Sequence, residues 1–134
     1  MKFTVIDYSD LYYTKSATVR KPKRIYGKFV QMRHEGVEYL LFSPKEFSKY
    51  HADIVKMHCR EKGIAGVYNV PAKRFDIDDP SWVILGGGKF DLDLEDKVIR
   101  LYDNSMAYGR FEESGLKEKI LTNEEMSEYR VEIE

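Results

Sequence analysis

Lys28-Phe29-Val30-Gln31-Met32-Arg33 and Val37-Glu38-Tyr39-Leu40-Leu41-Phe42, joined by His34-Glu35-Gly36, are the runs that decide the fold. Both are strand-like, and the short glycine-bearing link makes them a hairpin. Immediately after them Ser43-Pro44-Lys45-Glu46 offers a capping serine, a first-turn proline and a glutamate at the third helical position. Phe47, Tyr50, Ile54 and Met57 then recur at helical spacing, and Gly63 is a natural stop. Upstream, Lys2–Ile6 reads as a strand and Asp10–Arg24 as a tyrosine-bearing loop without a period. Downstream of an irregular stretch, Trp82–Leu85 reads as a buried strand. Lys89–Leu94 alternates with period two, Glu95-Asp96 turns, and Lys97–Tyr102 returns as its partner. Leu116–Met126 is helical in part, and Tyr129, Val131 and Ile133 alternate in a last strand. About six strands and two helices predict an α+β domain, a mixed and mainly antiparallel sheet flanked by helices.

Composition sets the bounds. A chain of 134 residues is expected to form one domain, 1–134, with residues 1–24 as an amino-terminal extension to the core. Hydrophobic residues make up 43% and aromatics 13%, enough for an ordinary core. Cys59 stands alone, so there is no disulfide framework and a reducing compartment is expected. The apolar run before Asp7 is too short for a signal peptide, and nothing approaches the length of a bilayer span. A cytoplasmic, monomeric protein with no membrane association is the expectation. Net charge is −1 but uneven, with a balance of +6 over residues 1–34 and −5 over 111–134. The cluster Arg20-Lys21-Pro22-Lys23-Arg24 reads as a solvated loop before it reads as a docking site.

Three segments carry chemistry. Tyr50-His51-Ala52-Asp53-Ile54 puts a histidine at the opening of a helix, where unpaired amides and partial positive charge favour an anion. A histidine there can take or give a proton near neutral pH. Leu85-Gly86-Gly87-Gly88-Lys89 lets backbone approach a ligand closely, and Asn104-Ser105-Met106-Ala107-Tyr108-Gly109 is a small-residue turn able to meet the histidine.

In this order and spacing the three segments resemble the Janus/Ocnus family of protein histidine phosphatases, over about residues 28–131. The resemblance implies a central sheet flanked by helices and no cofactor. It implies His51 as the catalytic residue, with Lys28 on the first core strand reaching the phosphate. Tyr50, Ala52, Lys89, Ser105, Met106 and Ala107 would complete the substrate site. Two departures stand out. The family's usual arginine after the glycines is Lys89 here, so a bidentate fork becomes a point charge. The segment Gly63–Pro80 is also longer than in the family. An anion site at His51 further requires the helix to start near Tyr50, after a short turn over residues 44–48, instead of at Pro44.

Competing motifs fail on particular positions. Arg33-His34-Glu35 lacks the glycine of the histidine acid phosphatases. A cysteine-phosphatase loop from Cys59 would need arginine at position 65, which is alanine. A phosphate-binding loop around Gly88-Lys89 would need glycine at 83 and serine or threonine at 90; these are Val83 and Phe90. His51 and His58 are roughly 10 Å apart along a helix, too far to share a zinc, so no metal is expected. Ten tyrosines beside a basic arm match no stacking platform, which makes a nucleic-acid partner unlikely.

The function implied is a metal-independent phosphatase acting on phosphohistidine in proteins, or on phospholysine and other small phosphoramidates. His51 would serve as general base toward water or as the nucleophile itself. The Ser105 hydroxyl would add a donor, while Lys28 and Lys89 would neutralise transition-state charge. The alternative is a non-catalytic module that binds a phosphorylated protein or another anion in the same pocket.

Overall fold

A computed structural model describes residues 2–15 and 20–134. In chain order it contains β1 (Lys2–Asp7), α1 (Ser9–Lys15), β2 (Arg24–His34), β3 (Val37–Pro44) and α2 (His51–Lys62). These are followed by β4 (Gly66–Asn69), β5 (Arg74–Ile77), β6 (Val83–Asp93), β7 (Val98–Tyr102), α3 (Leu116–Leu121) and β8 (Arg130–Ile133). The β2–β3 hairpin lies at the middle of a six-stranded sheet ordered β1-β3-β2-β6-β7-β8. The three inner pairings are antiparallel, and the two outer strands, β1 on β3 and β8 on β7, join in parallel. The architecture is α+β, a mixed and mainly antiparallel sheet with helices packed on it.

Both faces of the sheet are covered, which explains the nearly continuous apolar character of β2 and β3. Phe29, Leu40, Phe42, Phe90, Leu92 and Leu101 point to one face, where Leu116 and Ile120 of α3 close the core. Val30, Met32 and Leu41 point to the other, under Ala52, Ile54, Val55 and Cys59 of α2. Lys28 shares the α2 face with Val30 and Met32 by strand alternation, but α2 begins only at His51 and leaves that end of the face open.

α2 starts where an anion site requires it to. Tyr50 is extended at φ −124°, ψ 155°, and its N–H donates to Asp53 Oδ2 at 2.9 Å. The capping signature at Ser43-Pro44-Lys45-Glu46 starts no helix, because β3 pairs through Ser43 and Pro44 with Lys28 and Gly27. A single turn follows, with Phe47 and Ser48 donating to the Pro44 carbonyl. Gly63, at φ 68°, ends α2 by returning its N–H to Arg60 and Cys59.

The structure corrects several local expectations. Part of the supposed loop 10–24 is α1, opened by Ser9 N–H donating to Asp7 Oδ1 at 2.9 Å; residues 16–19 of that stretch lie outside the described residues. β1 is an integral strand, and Phe3 and Val5 pack on the core, so residues 2–7 do not merely extend from it. Among the described residues three helices accompany the sheet, not two. The stretch 63–80 is not irregular: it holds the β4–β5 hairpin, seated on α2 through Phe75. The strands expected on either side of the glycines are one strand, β6, which passes through Gly86, Gly87 and Gly88 with one register shift.

Candidate active site

A cleft of about 670 Å³ opens where α2 stops covering the sheet. Its floor is set by strand register: Lys28 of β2 lies directly opposite Lys89 of β6. Like charges in that position repel. Lys89 is relieved by Asp103, whose Oδ2 is 3.1 Å from Nζ, and this ammonium holds the Asp103 carboxyl below its usual range. Lys28 has no ion-pair partner among the described residues.

His51, the first residue of α2, forms one wall. The residue is 7% exposed, and Nε2 lies 2.9 Å from the Gly88 carbonyl oxygen. A carbonyl can only accept, so Nε2 carries the hydrogen and Nδ1 keeps its lone pair. Nδ1 has no protein partner among the described residues. Burial is the main reason that the imidazole titrates below its usual value, and the Lys28 and Lys89 ammonium groups push the same way. The Gly88 hydrogen bond and Asp103 oppose them. Neutral imidazole is thus the form at pH 7.

Gly87 of β6 makes room for this ring. A Cβ on Gly87 would stand 2.8 Å from His51 Cδ2 and 2.6 Å from the Phe29 carbonyl oxygen of β2. The close approach anticipated for a ligand is made here by the histidine itself. Gly87 N–H also donates to the Gly109 carbonyl at 3.0 Å, which fastens the 105–109 loop beside the wall.

That loop supplies the opposite side of the cleft. Met106, fully exposed, and Ala107 line it with His51, Tyr50, Lys28 and Lys89. No protein acceptor meets the amides of His51, Met106 or Ala107 among the described residues, so donors from two elements flank one space. Ala52, also expected in the substrate site, is wholly buried in the core under α2 and absent from the cleft lining. Ser105 does not take the expected place. It is 2% exposed and absent from the cleft lining; its Oγ accepts the Tyr108 N–H at 3.1 Å and its own N–H donates to Gly109. It shapes the loop and presents no hydroxyl donor to the cleft.

Lys49, Lys73 and Asp103 also line the cleft and have no counterpart in the sequence reading. Lys49 and Lys73 hold their Nζ atoms over the Tyr50 ring, 5.4 and 4.8 Å from its centre. Their charge, Lys73 first, draws the phenol below its usual range. Lys73 sits at the tip of the β4–β5 hairpin in a left-handed conformation, φ 50°. Tyr108 fixes that hairpin: its hydroxyl accepts the Phe75 N–H and donates to the Phe75 carbonyl, both at 2.8 Å. The Asn69–Lys73 turn, with Pro71 at its centre, was the one sequence signal that could have revealed Lys73.

Among the described residues no helix is long and apolar enough to cross a membrane. Neither protein-family models nor curated proteins yield a match to the chain.

Proposed function

We propose that the protein is a metal-independent phosphatase of the Janus/Ocnus type that hydrolyses phosphohistidine or a related phosphoramidate in a reducing, cytoplasmic setting. The observation that carries this reading is His51: a neutral, oriented imidazole whose Nε2–H is committed to Gly88 while Nδ1 stays uncommitted at an anion-attracting cleft.

The phosphoryl oxygens would accept from the amides of His51, Met106 and Ala107. The Lys28 and Lys89 ammonium groups would meet charge as the P–N bond loosens. In one route Nδ1 takes a proton from water as the water oxygen attacks phosphorus. In the other, Nδ1 attacks phosphorus, and water later cleaves the new N–P bond. In both, the P–N bond of the substrate breaks and the leaving nitrogen acquires a proton.

A non-catalytic anion-binding module is the second reading. The Lys89–Asp103 pair favours it, because an ammonium already held by a carboxylate at 3.1 Å stabilises a transition state less. Incubation with a phosphohistidine peptide or with phosphoramidate, in chelator, separates the two. Release of inorganic phosphate supports the enzyme, whereas saturable binding without release leaves the module.

A further inference from the structure

The cleft is larger and more positive than a phosphoryl group requires. Its volume of about 670 Å³ falls among sites for drug-sized ligands. On the floor, Lys28 and Lys89 against Asp103 leave a surplus of one positive charge, which a phosphoryl dianion more than meets. Lys49 and Lys73 remain at the mouth. Both are exposed, and neither has an ion-pair partner among the described residues.

Two separate elements bring them together. Lys49 lies in the lead-in to α2 and Lys73 on the β4–β5 tip, and both ammonium groups converge on the Tyr50 ring. The tip is held by the double hydrogen bond between Tyr108 and Phe75, so the pairing does not depend on a free loop. An aromatic platform for a nucleobase needs an open ring face, and here the ammonium groups occupy that position. A carboxylate, by contrast, would meet both charges at once. Apolar surface also lines the mouth, with fully exposed Met106 and with Pro71 and Ala72 of the β4–β5 turn. Such a border fits a polypeptide better than a small polar ion.

We propose that Lys49 and Lys73 form a second anion subsite at the mouth, which holds an aspartate or glutamate side chain next to the phosphorylated residue. The substrate is then an acidic phosphorylated segment of a protein. This inference rests on the phosphoryl reading of the floor.

The test compares phosphohistidine peptides flanked by glutamate with the same peptides flanked by glutamine, at low salt. Two exposed ion pairs at about 0.2–1 kcal/mol each convert to a kcat/KM ratio of about two- to thirtyfold in favour of the acidic peptide. The double variant Lys49→Ala, Lys73→Ala should bring that ratio to one, and Lys73→Glu should turn it toward lysine-flanked peptides. A wild-type ratio of one, with both peptides turned over, overturns the subsite and leaves the phosphatase reading intact. Faster turnover of a nucleoside phosphoramidate than of either peptide overturns the polypeptide assignment. If neither peptide is turned over, the phosphatase reading fails, and calorimetry with phosphoserine versions of the two peptides decides the subsite. Tighter binding of the acidic one then supports it, and equal binding overturns it.

Discussion

Replacing Gly87 by alanine should strain the sheet and displace His51 together. The added methyl would stand 2.8 Å from His51 Cδ2 and 2.6 Å from the Phe29 carbonyl oxygen, where ordinary contact begins at 3.4 Å. The carbonyl is β2 backbone, so that contact clears only if the sheet shifts, and the imidazole must besides retreat by ~0.6 Å, from 2.8 to 3.4 Å. Such overpacking costs about 1–3 kcal/mol. With an unfolding entropy of about 2.1 cal/mol/K per residue, a chain of this length loses ~4–11 °C in Tm. The retreat also disturbs the 2.9 Å bond from Nε2 to Gly88, which sets the tautomer. Misplacement approaching 1 Å costs on the order of a hundredfold in rate, so at least a tenfold loss in phosphate release is expected. Gly63→Ala is the control. Gly63 has φ 68°, and a methyl added there would have no atom within 4 Å, so the variant loses about 1 kcal/mol of stability through backbone conformation alone. Its activity should stay at the wild-type level. Wild-type turnover by Gly87→Ala, or an equal loss in both variants, would refute the view that Gly87 exists to seat His51.

Other substitutions probe separate parts of the argument. His51→Ala should abolish phosphate release, and chelators should leave the wild type unaffected; activity lost to chelator would reveal a metal in the mechanism. Because His51 titrates below 6.5 in the fold, activity should hold through pH 6.5 and fall only as acid protonates the ring at its lowered value. Lys28→Ala removes one of the charges that depress it, so the pH–rate profile should lose its acid limb at a higher pH, besides a lower rate. Glu38 is buried, and although burial alone would raise its pKa, hydrogen bonds from Lys119, Arg33 and Gln31 hold it below the ordinary value. Its contribution is present above that ordinary value and lost as pH falls through the lowered one; Glu38→Gln should therefore melt lower than wild type near pH 7, by about 3 kcal/mol, with the gap closing in acid. His58 is wholly buried with both ring nitrogens unpartnered, and burial first, then Lys62, lowers its pKa against Glu61. The unfolded chain then binds the proton more readily, so stability drops as pH falls below 6.5; His58→Leu should flatten that slope in thermal melts, leaving the part due to His51.

The hairpin at 28–42 was legible because its apolar residues alternate between two covered faces, so its strand character survived without any tertiary information. The signature at Ser43-Pro44-Lys45-Glu46 shows the opposite case. Each residue satisfies a helix-start rule, yet the pairing of Gly27 and Lys28 with Pro44 and Ser43 extends β3 through it. A ladder made with a distant strand outweighs a local cap worth about 1 kcal/mol. α1, of seven residues, and the four-residue strands β4 and β5 are too short to display a period. The triple glycine resembled a strand end because glycine lacks strand propensity; packing against His51 and the 109–111 segment holds it in mid-strand.

The site divides along the same line. His51 and the Met106–Ala107 turn stood out because local residue types carried their chemistry. Lys49, Lys73 and Asp103 did not, since a lysine on a loop is ordinary until another element is folded against it. The register of β2 on β6 sets Lys28 against Lys89, a repulsion that Asp103 offsets in part by pairing with Lys89. Nothing in the core depends on that opposition: the apolar core residues of β2 and β6 are Ile25, Phe29, Val30, Met32, Phe90 and Leu92, with Ile84 packed against them. Asp103 compensates Lys89, so of the two Lys28 alone is left without a partner among the described residues, at the end of the face that α2 leaves uncovered. That unmatched charge is itself an argument for an anionic ligand, independent of any motif.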